Sequence, residues 1–272
     1  MKRLFLLISA YVFAIAVNAQ GLSLLRKYGS NWQNEIVTCK NKPNGYIYRL
    51  RIDIQTNDLP WVVDGNHELY IAEPINTGWL AMYRLPTGND NYDFVVATYN
   101  QNKENTGVYN LCDIANNRYC EVQDVRWDED NGNILFNMAC PSYSTMINGK
   151  GSKLYCYNTY EDRIVWQTDY LVSNNIFILS DKYVFCSYGF TDEKDYLYML
   201  DKNTGKMYSK ILMPKMVQYM EIQQRNSMDV LYVVDYNDHL YTYAIHDTGV
   251  YNAPTAPRTQ GGAKFSPRGM KR

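Results

Sequence analysis

The fold is decided by three similar segments, Leu154-Tyr-Cys-Tyr-Asn158, Leu197-Tyr-Met-Leu-Asp201 and Leu240-Tyr-Thr-Tyr-Ala244. Their opening leucines follow one another at a constant spacing of 43 residues. A fixed period of about 40–45 residues is typical of β-propellers, in which each period forms one blade of four strands. The spacing therefore predicts an all-β chain folded as a single propeller of four-stranded blades.

A tight turn is predicted after the first two segments. Lys202-Asn-Thr-Gly205 follows the second segment, and Gly205 stands where a hairpin loop requires positive φ. Asp162 occupies the equivalent position after the first segment, and Asp tolerates the left-handed conformation better than most residues. Both faces of the segments are apolar or aromatic, which predicts strands covered on both sides by neighbouring blades.

The stretch from Leu154 to Trp166 resembles the repeat of quinoprotein-type propellers, which runs roughly Leu-Tyr-Ala-Leu-Asp-x-x-Thr-Gly-Lys-x-x-Trp. Leu197–Ser209 matches the Asp-x-x-Thr-Gly-Lys part better, with Ser209 in place of the tryptophan. The resemblance implies a propeller fold and a packing role for Trp166 between blades. The same repeat occurs in redox enzymes and in non-catalytic scaffold propellers of the bacterial envelope. Quinone-dependent members carry adjacent cysteines, which this chain lacks, so no cofactor is expected.

Counting periods backwards from these repeats predicts five blades, with a sixth left open. Three of them are expected over about 122–168, 170–213 and 216–251. An irregular first blade is expected over 32–75, ending with Glu68–Glu73. Residues Gly21–Ser30 form either a strand that closes the ring against the last blade or a short helix. The second blade is assigned the strands Trp79–Leu85, Tyr92–Tyr99, Gly107–Cys112 and Arg118–Val122.

The two ends of the chain differ in character from the repeats. Residues 1–19 combine a basic start, an apolar core and a small-residue cleavage pattern ending at Ala19, which predicts a signal peptide and export to the periplasm, cell surface or medium. Residues 20–251 then form the propeller, with no transmembrane segment expected in the mature chain. Residues 252–272 are rich in Pro, Gly, Lys and Arg and lack acidic residues, which predicts a disordered basic tail.

The overall charge does not favour nucleic acid or an anionic membrane as a partner. The formal net charge is −1 at pH 7, which gives no electrostatic basis for binding nucleic acid or an anionic membrane. The sequence contains no N-glycosylation sequon despite its many asparagines, which favours a bacterial envelope over a eukaryotic secretory origin. The expected partner is therefore a protein or a glycan, and the sequence does not indicate an oligomeric state.

Six cysteines in an exported chain favour disulfide formation. Cys112 and Cys120 flank the hairpin of the second blade and are expected to pair across it. Cys140 and Cys156 lie on neighbouring strands of the third blade and are expected to do likewise. The alternative is that several cysteines are small buried apolar residues. Their spacings do not match the Cys-x-x-Cys of zinc or thioredoxin-type sites, and no metal is expected.

Carboxylates near strand ends are the candidates for catalysis. A glycoside-active propeller needs two of them to converge at the central axis, one as acid and one as base or nucleophile. No spacing selects a pair, and no Gly-x-Ser-x-Gly motif is present, so the chain is expected not to be an enzyme. The candidates are Asp64, Glu68, Glu73, Asp93, Asp124 and Glu221.

A binding surface is predicted where the least regular blade combines an aromatic side chain, a turn and polar groups, namely at Trp61, Asp64, His67 and Glu68. The alternative is a buried tryptophan beside a plain Asp-Gly turn. The predicted function is an exported, non-catalytic binding or scaffold module for a protein or glycan in the bacterial envelope. The alternative function is a carbohydrate-active enzyme, a glycoside hydrolase or lyase, that uses axial carboxylates.

Overall fold

The computed structural model describes residues 21–31, 59–60, 62–63, 66–85, 93–140, 143–190 and 192–247. Within these ranges the chain is all-β apart from one short helix, and its strands form four antiparallel sheets, here numbered I to IV. The observed class confirms the all-β prediction. Residues 1–20, 32–58 and 248–272 lie outside the described ranges, and so do the predicted signal peptide, most of the predicted first blade and the predicted tail.

The four sheets follow the chain in order. Sheet I contains β2 Val62–Val63, β3 His67–Ile75, β4 Gly78–Leu85, β5 Asp93–Asn100 and β6 Asn105–Asn110, and helix α1 Leu111–Ala115 follows it. Sheet II contains β7 Glu121–Asp128, β8 Asn133–Ala139, β9 Lys153–Asn158 and β10 Arg163–Gln167. Sheet III contains β11 Phe177–Leu179, β12 Tyr183–Tyr188, β13 Asp195–Asp201 and β14 Met207–Met213. Sheet IV contains β15 Val217–Arg225, β16 Met228–Asp235, β17 Leu240–His246 and β1 Gly21–Tyr28.

The sheets stand next to one another as propeller blades do. The first strand of sheet II contacts the first strand of sheet III, and β11 in turn contacts β15 of sheet IV. Strand β4 of sheet I contacts β7 of sheet II. Strands β7, β11 and β15 therefore run along a common inner side, and the other strands of sheets II, III and IV lie further out. This arrangement confirms the predicted propeller fold: the described residues form four sheets, of which II, III and IV have four strands and sheet I has the two-residue strand β2 as a fifth.

Apolar layers between neighbouring blades form the core. Leu154 and Cys156 point toward sheet III, where they share a buried cluster with Tyr198 and Leu200. The intervening side chain, Tyr155, points the other way and packs in the cluster between sheets I and II. All of these side chains are buried, which confirms that the repeated segment is covered on both faces. Burial of apolar area at about 25 cal/mol per Å² makes these layers the main source of stability.

The turn chemistry predicted from the repeat is also present. Gly205 and Asp162 both adopt positive φ, at 69° and 50° respectively. The Asp201 carboxylate accepts hydrogen bonds from the backbone N–H groups of Asn203 and Thr204 at 3.0 and 2.8 Å, which closes the turn locally. Across the blade boundary, the indole Nε1 of Trp166 donates to the Lys202 carbonyl at 3.0 Å. Trp166 therefore packs between blades, as the repeat implies.

An N-terminal strand completes the last blade. Strand β1 pairs antiparallel with β17, with Gly21 opposite His246 and Tyr28 opposite Leu240. The side chain of Leu22 packs against the apolar layer between sheets III and IV, while Leu24 is exposed. Of the two alternatives for Gly21–Ser30, the structure shows the strand. The last blade is thus held together by opposite ends of the described chain.

The predicted boundaries of the second blade are wrong. Residues 67–75, assigned to the first blade, form β3 and pair with β4 through a turn at Asn76 and Thr77. The segment Gly107–Cys112 ends as a strand at Asn110, because the Asn110 side chain accepts the Asp113 N–H and caps helix α1. The segment 118–122 adds no strand to sheet I, since β7 of the next sheet begins at Glu121.

The predicted disulfide pairings are also wrong. Cys120 is bonded to Cys140, with their Cα atoms 4.1 Å apart, while Cys112 and Cys156 are buried free thiols. The register explains this pairing, because Glu121 lies opposite Ala139 and brings the residues just beyond them together. Burial raises the pKa of the Cys112 thiol to about 11 and that of the Cys156 thiol to about 12. Both thiols therefore remain protonated at neutral pH and pack as small apolar side chains.

Candidate functional site

One edge of the propeller collects the longest connections. In sheet II, Glu121 at the start of β7 lies opposite Ala139 at the end of β8, and the end of β10 lies beside the start of β9. The connections at 111–120, 140–152, 168–176 and 189–194 therefore lie at the same edge, which we call the upper rim. Short turns such as 129–132, 159–162 and 202–206 occupy the opposite edge, the lower rim. Loops on a rigid scaffold are the usual place for binding residues.

A cleft of about 240 Å³ opens on the upper rim between three of these connections. Its walls come from the segment after α1, from the loop between β8 and β9, and from the segment after β10. The Cys120–Cys140 disulfide also lines it and ties the first two walls together. The side chains that give the cleft its character are Asn116, Asn117, Tyr119, Lys150, Tyr155 and Tyr170.

The tyrosines of the cleft differ in exposure. Tyr119 is 75% exposed and Tyr170 is 45% exposed, whereas Tyr155 is buried. The Tyr155 ring stacks on Phe136, with the two ring centroids 5.1 Å apart, and this fixes its orientation. Burial, with a smaller contribution from Tyr170, raises the pKa of the Tyr155 hydroxyl to about 12. Tyr155 is therefore a neutral hydrogen-bonding group at the base of the cleft at neutral pH.

A polar network stands beside the cleft on the same rim. The Asp93 carboxylate lies 3.3 Å from His67 Nε2 and 2.8 Å from the Arg118 guanidinium, and it accepts the Asn110 side-chain amide at 2.9 Å. Arg118 also pairs with Asp113 of α1. Burial by itself raises the pKa of Asp93, but the hydrogen bond from Asn110 and the charge of Arg118 outweigh it and lower that pKa. Asp93 therefore stays ionised and fastens β3, β5 and α1 together.

The predicted ligand-binding residues separate in the structure. His67 is buried inside this network, with 8% of its side chain exposed. Glu68 is exposed on β3, opposite Arg84 of β4. Trp61 and Asp64 lie outside the described residues. The cleft itself was missed, because its walls lie far apart in sequence and only the blade order brings them together.

Two of the candidate catalytic carboxylates meet near the inner strands but are bound by a cation. Arg126 Nη1 lies 2.8 Å from Glu73 of β3, and its Nη2 lies 3.4 Å from Asp124. The Asp124 carboxylate also accepts the backbone N–H groups of Val125 and Phe177 at 2.8 and 3.0 Å. These contacts tie Glu73 of sheet I, Asp124 and Arg126 of sheet II and the backbone of Phe177 in sheet III together.

A further candidate carboxylate, Glu221, lies on β15. It accepts hydrogen bonds from Tyr219 and Gln223, and burial raises its pKa.

No group of three or more His, Cys, Asp or Glu residues in the described ranges is placed to hold a metal ion. Likewise, no helix within these ranges is long and apolar enough to cross a membrane.

Comparison with solved structures returns β-propellers at low sequence identity. Sqt1 from Saccharomyces cerevisiae is 10% identical with a TM-score of 0.47, over 67% of this chain and 46% of that one. The β-propeller domain of the trilobed protease from Pyrococcus furiosus is 11% identical with a TM-score of 0.40, over 66% and 56%. TolB from Acinetobacter baumannii is 11% identical with a TM-score of 0.35, over 65% and 43%.

The chain thus spans about half the length of the solved chains it resembles. At these identities the likeness concerns the fold and says nothing of a ligand or an activity. Neither a scan against protein-family models nor a search of curated proteins found a match.

Proposed function

We propose that this protein is an exported, non-catalytic β-propeller that binds a protein or glycan ligand on its upper rim. The observation that carries the proposal is the uneven distribution of exposed large apolar side chains between the described connections of the two rims. Tyr119, Met146 and Tyr170 are between 45% and 75% exposed, and all three lie in upper-rim connections. In the described lower-rim turns, Tyr160 is the one large apolar side chain with comparable exposure. Exposed aromatic side chains grouped on one surface mark ligand-binding sites.

The absence of catalysis is proposed from the state of the inner carboxylates. Glu73 of β3 and Asp124 of β7 are both paired with Arg126. A glycoside-active site requires one protonated and one ionised carboxyl group facing the sugar. Moving Arg126 aside would leave Asp124, which is 1% exposed, as an uncompensated buried charge. The pair therefore supports a structural role.

Export is proposed from two independent features. The pattern of residues 1–19 is that of a signal peptide, and the Cys120–Cys140 disulfide suits an oxidising compartment. The resemblance of Leu154–Trp166 to the quinoprotein-type repeat, which also occurs in scaffold propellers of the bacterial envelope, supports the same location. Binding in the envelope is thus part of the proposal.

The proposed function is tested with the full chain produced in an oxidising compartment. The protein is incubated with a panel of envelope and plant polysaccharides, and thermal shift is recorded together with released reducing ends. We expect a stabilising shift with at least one polysaccharide and no release of reducing ends, because binding to the folded state alone raises the unfolding temperature.

Released reducing ends would contradict the non-catalytic proposal and would direct attention to Glu221. If no polysaccharide shifts the unfolding temperature, the glycan ligand is excluded and the proposal rests on a protein ligand. That remaining case is decided by comparing capture from envelope extract by the wild-type chain and by the double variant Tyr119→Ala/Tyr170→Ala. Equal capture by both would contradict binding on the upper rim.

A further inference from the structure

The upper-rim cleft has walls that are already fixed in place. The disulfide holds the first wall to the second. The third wall is held to the second by backbone hydrogen bonds from Leu171 N to the Gly151 carbonyl at 3.0 Å and from Val172 N to the Ser152 carbonyl at 3.3 Å. A site with fixed walls loses little conformational entropy when a ligand binds, which favours affinity. The cleft is therefore suited to a ligand of defined shape.

The size of the cleft limits the ligand to about one ring. Its volume of about 240 Å³ is below the range of roughly 300–1,000 Å³ that is typical for pockets that enclose drug-sized molecules. Tyr170, which is 45% exposed, supplies an aromatic ring to the lining, and the largely buried Tyr155 supplies a hydroxyl group. A sugar ring combines an apolar C–H face, which packs on an aromatic ring, with hydroxyl groups at its edge. The cleft thus has the groups that a single sugar residue needs.

The charge of the cleft selects among sugars. Lys150 lines it, and Lys153 Nζ lies 4.2 Å from the centroid of the Tyr170 ring. No carboxylate is among the described residues that line the cleft. The side-chain oxygen of Asn117 already accepts the N–H groups of Tyr119 and Cys120, at 2.9 and 3.2 Å, so its amide NH₂ is left as a donor. The lining therefore offers mainly donors and positive charge.

We propose that this cleft binds a uronic acid residue of an acidic polysaccharide. The sugar ring packs against Tyr170, its carboxylate pairs with Lys150, and its hydroxyl groups accept from Asn117 and bond to Tyr155. This inference rests on the proposed glycan-binding function and gives it a ligand class. A neutral sugar of the same shape would keep the ring contact and lose the ion pair.

Isothermal titration calorimetry on the full chain tests the proposal with two probes, tri-galacturonic acid and a neutral galactose trisaccharide. We expect the acidic probe to bind about tenfold more tightly at low salt, and we expect added salt to reduce this preference because it screens the ion pair. Lys150→Gln should make the two affinities equal. Tyr170→Ala should weaken both by about tenfold, whereas Tyr160→Ala, on the lower rim, should change neither.

Equal binding of the two trisaccharides by the wild-type chain would overturn the proposal, as would an acidic preference that survives Lys150→Gln. Absence of binding by the acidic probe would overturn it as well. In that last case, a thermal shift with a neutral polysaccharide would leave the proposed glycan-binding function standing. If no glycan of either charge binds, both this proposal and the glycan ligand of the proposed function are contradicted. Thermal unfolding of each variant shows whether a loss of binding reflects a loss of fold.

Discussion

At the scale of single residues, Gly205 shows how the repeat couples a turn to the next blade. Its φ is 69°, and a Cβ atom built on it would stand 2.6 Å from Cε3 of Trp166. The glycine is therefore required twice, once for the left-handed backbone and once for the close approach of the indole. Asp162 satisfies only the first requirement in the equivalent turn of the preceding blade. The sequence predicts the turn, but only the packing of the two blades shows that the Trp166 indole leaves no room for a Cβ atom at Gly205.

Gly205→Ala should lower the free energy of unfolding by about 2–3 kcal/mol, because the added methyl group would clash with the Trp166 indole and the backbone would also be strained. Gly149 provides the matched control, since its φ is 71° and a Cβ atom there would meet nothing within 4 Å. Gly149→Ala should cost about 1 kcal/mol from backbone strain alone. Urea unfolding of both variants measures the difference, and equal losses would contradict the packing role of Trp166 against this turn.

Asp195 provides a pH-dependent prediction. Its Oδ1 atom is buried without a hydrogen-bond partner, and burial raises its pKa above the ordinary value. A carboxyl group with a raised pKa holds its proton more tightly in the folded state, so its contribution to stability falls as the pH rises through that pKa. Asp195→Asn should therefore stabilise the protein by about 1 kcal/mol at pH 7 and have little effect at pH 3, where both states are protonated.

Unfolding temperatures at pH 3, 5 and 7 measure this effect. Asp192→Asn is the control, because Asp192 is exposed and the substitution removes the same charge a few residues away. A higher unfolding temperature for both variants at pH 7 would show that the effect comes from the change in net charge. A destabilised Asp195→Asn variant at pH 7 would contradict the assignment of Asp195 Oδ1 as a buried acceptor without a hydrogen-bond partner.

At the scale of elements, the strands of sheet II were predicted to within a residue or two. The blade predicted over about 122–168 is observed as sheet II, which runs from Glu121 at the start of β7 to Gln167 at the end of β10. The failure lies in sheet I, where the turn at Asn76 and Thr77 was taken for a blade boundary. A two-residue turn within a blade and a short connection between blades have the same local chemistry. Only the pairing of β3 with β4 distinguishes them, and that pairing depends on tertiary packing.

A buried ion pair joins elements of two blades on the lower rim. Lys202, in the turn between β13 and β14, lies 2.9 Å from Asp128 at the end of β7, and the two side chains are 7% and 3% exposed. Lys202→Ala should destabilise the protein by about 3–5 kcal/mol, because it leaves Asp128 charged and unpaired in the interior. Lys206→Ala, at an exposed position of the same turn, should change stability by about 0.5 kcal/mol or less.

A double-mutant cycle measures the coupling within this pair. The combined variant Lys202→Ala/Asp128→Ala should be less destabilised than the sum of the two single variants, because the second substitution removes the unpaired charge. Chemical unfolding of the four proteins provides the values. Additive losses would show that Lys202 and Asp128 contribute independently and that the blades are joined there by packing alone.

At the scale of the whole molecule, the repeat period was sufficient to predict the class, the radial stacking of blades and the covered strand faces. The candidate site was predicted much less well. Tyr155 was recognised as a face residue of a blade, but nothing local indicates that Tyr119 and Tyr170 lie beside it. The disulfide that joins two walls of the cleft follows from the register of β7 and β8, which a single sequence does not determine. Blade order and register therefore create the site.

The central claim is that ligands bind on the upper rim without being cleaved. Hydrogen exchange measured by mass spectrometry, with and without the polysaccharide that gives the largest thermal shift, tests it most directly. We predict new protection in 111–120, 140–152 and 168–172, the connections that form the cleft, and no change in the lower-rim turns 129–132, 159–162 and 202–206. Protection confined to the lower rim, or along the inner strands around Arg126, would contradict the account.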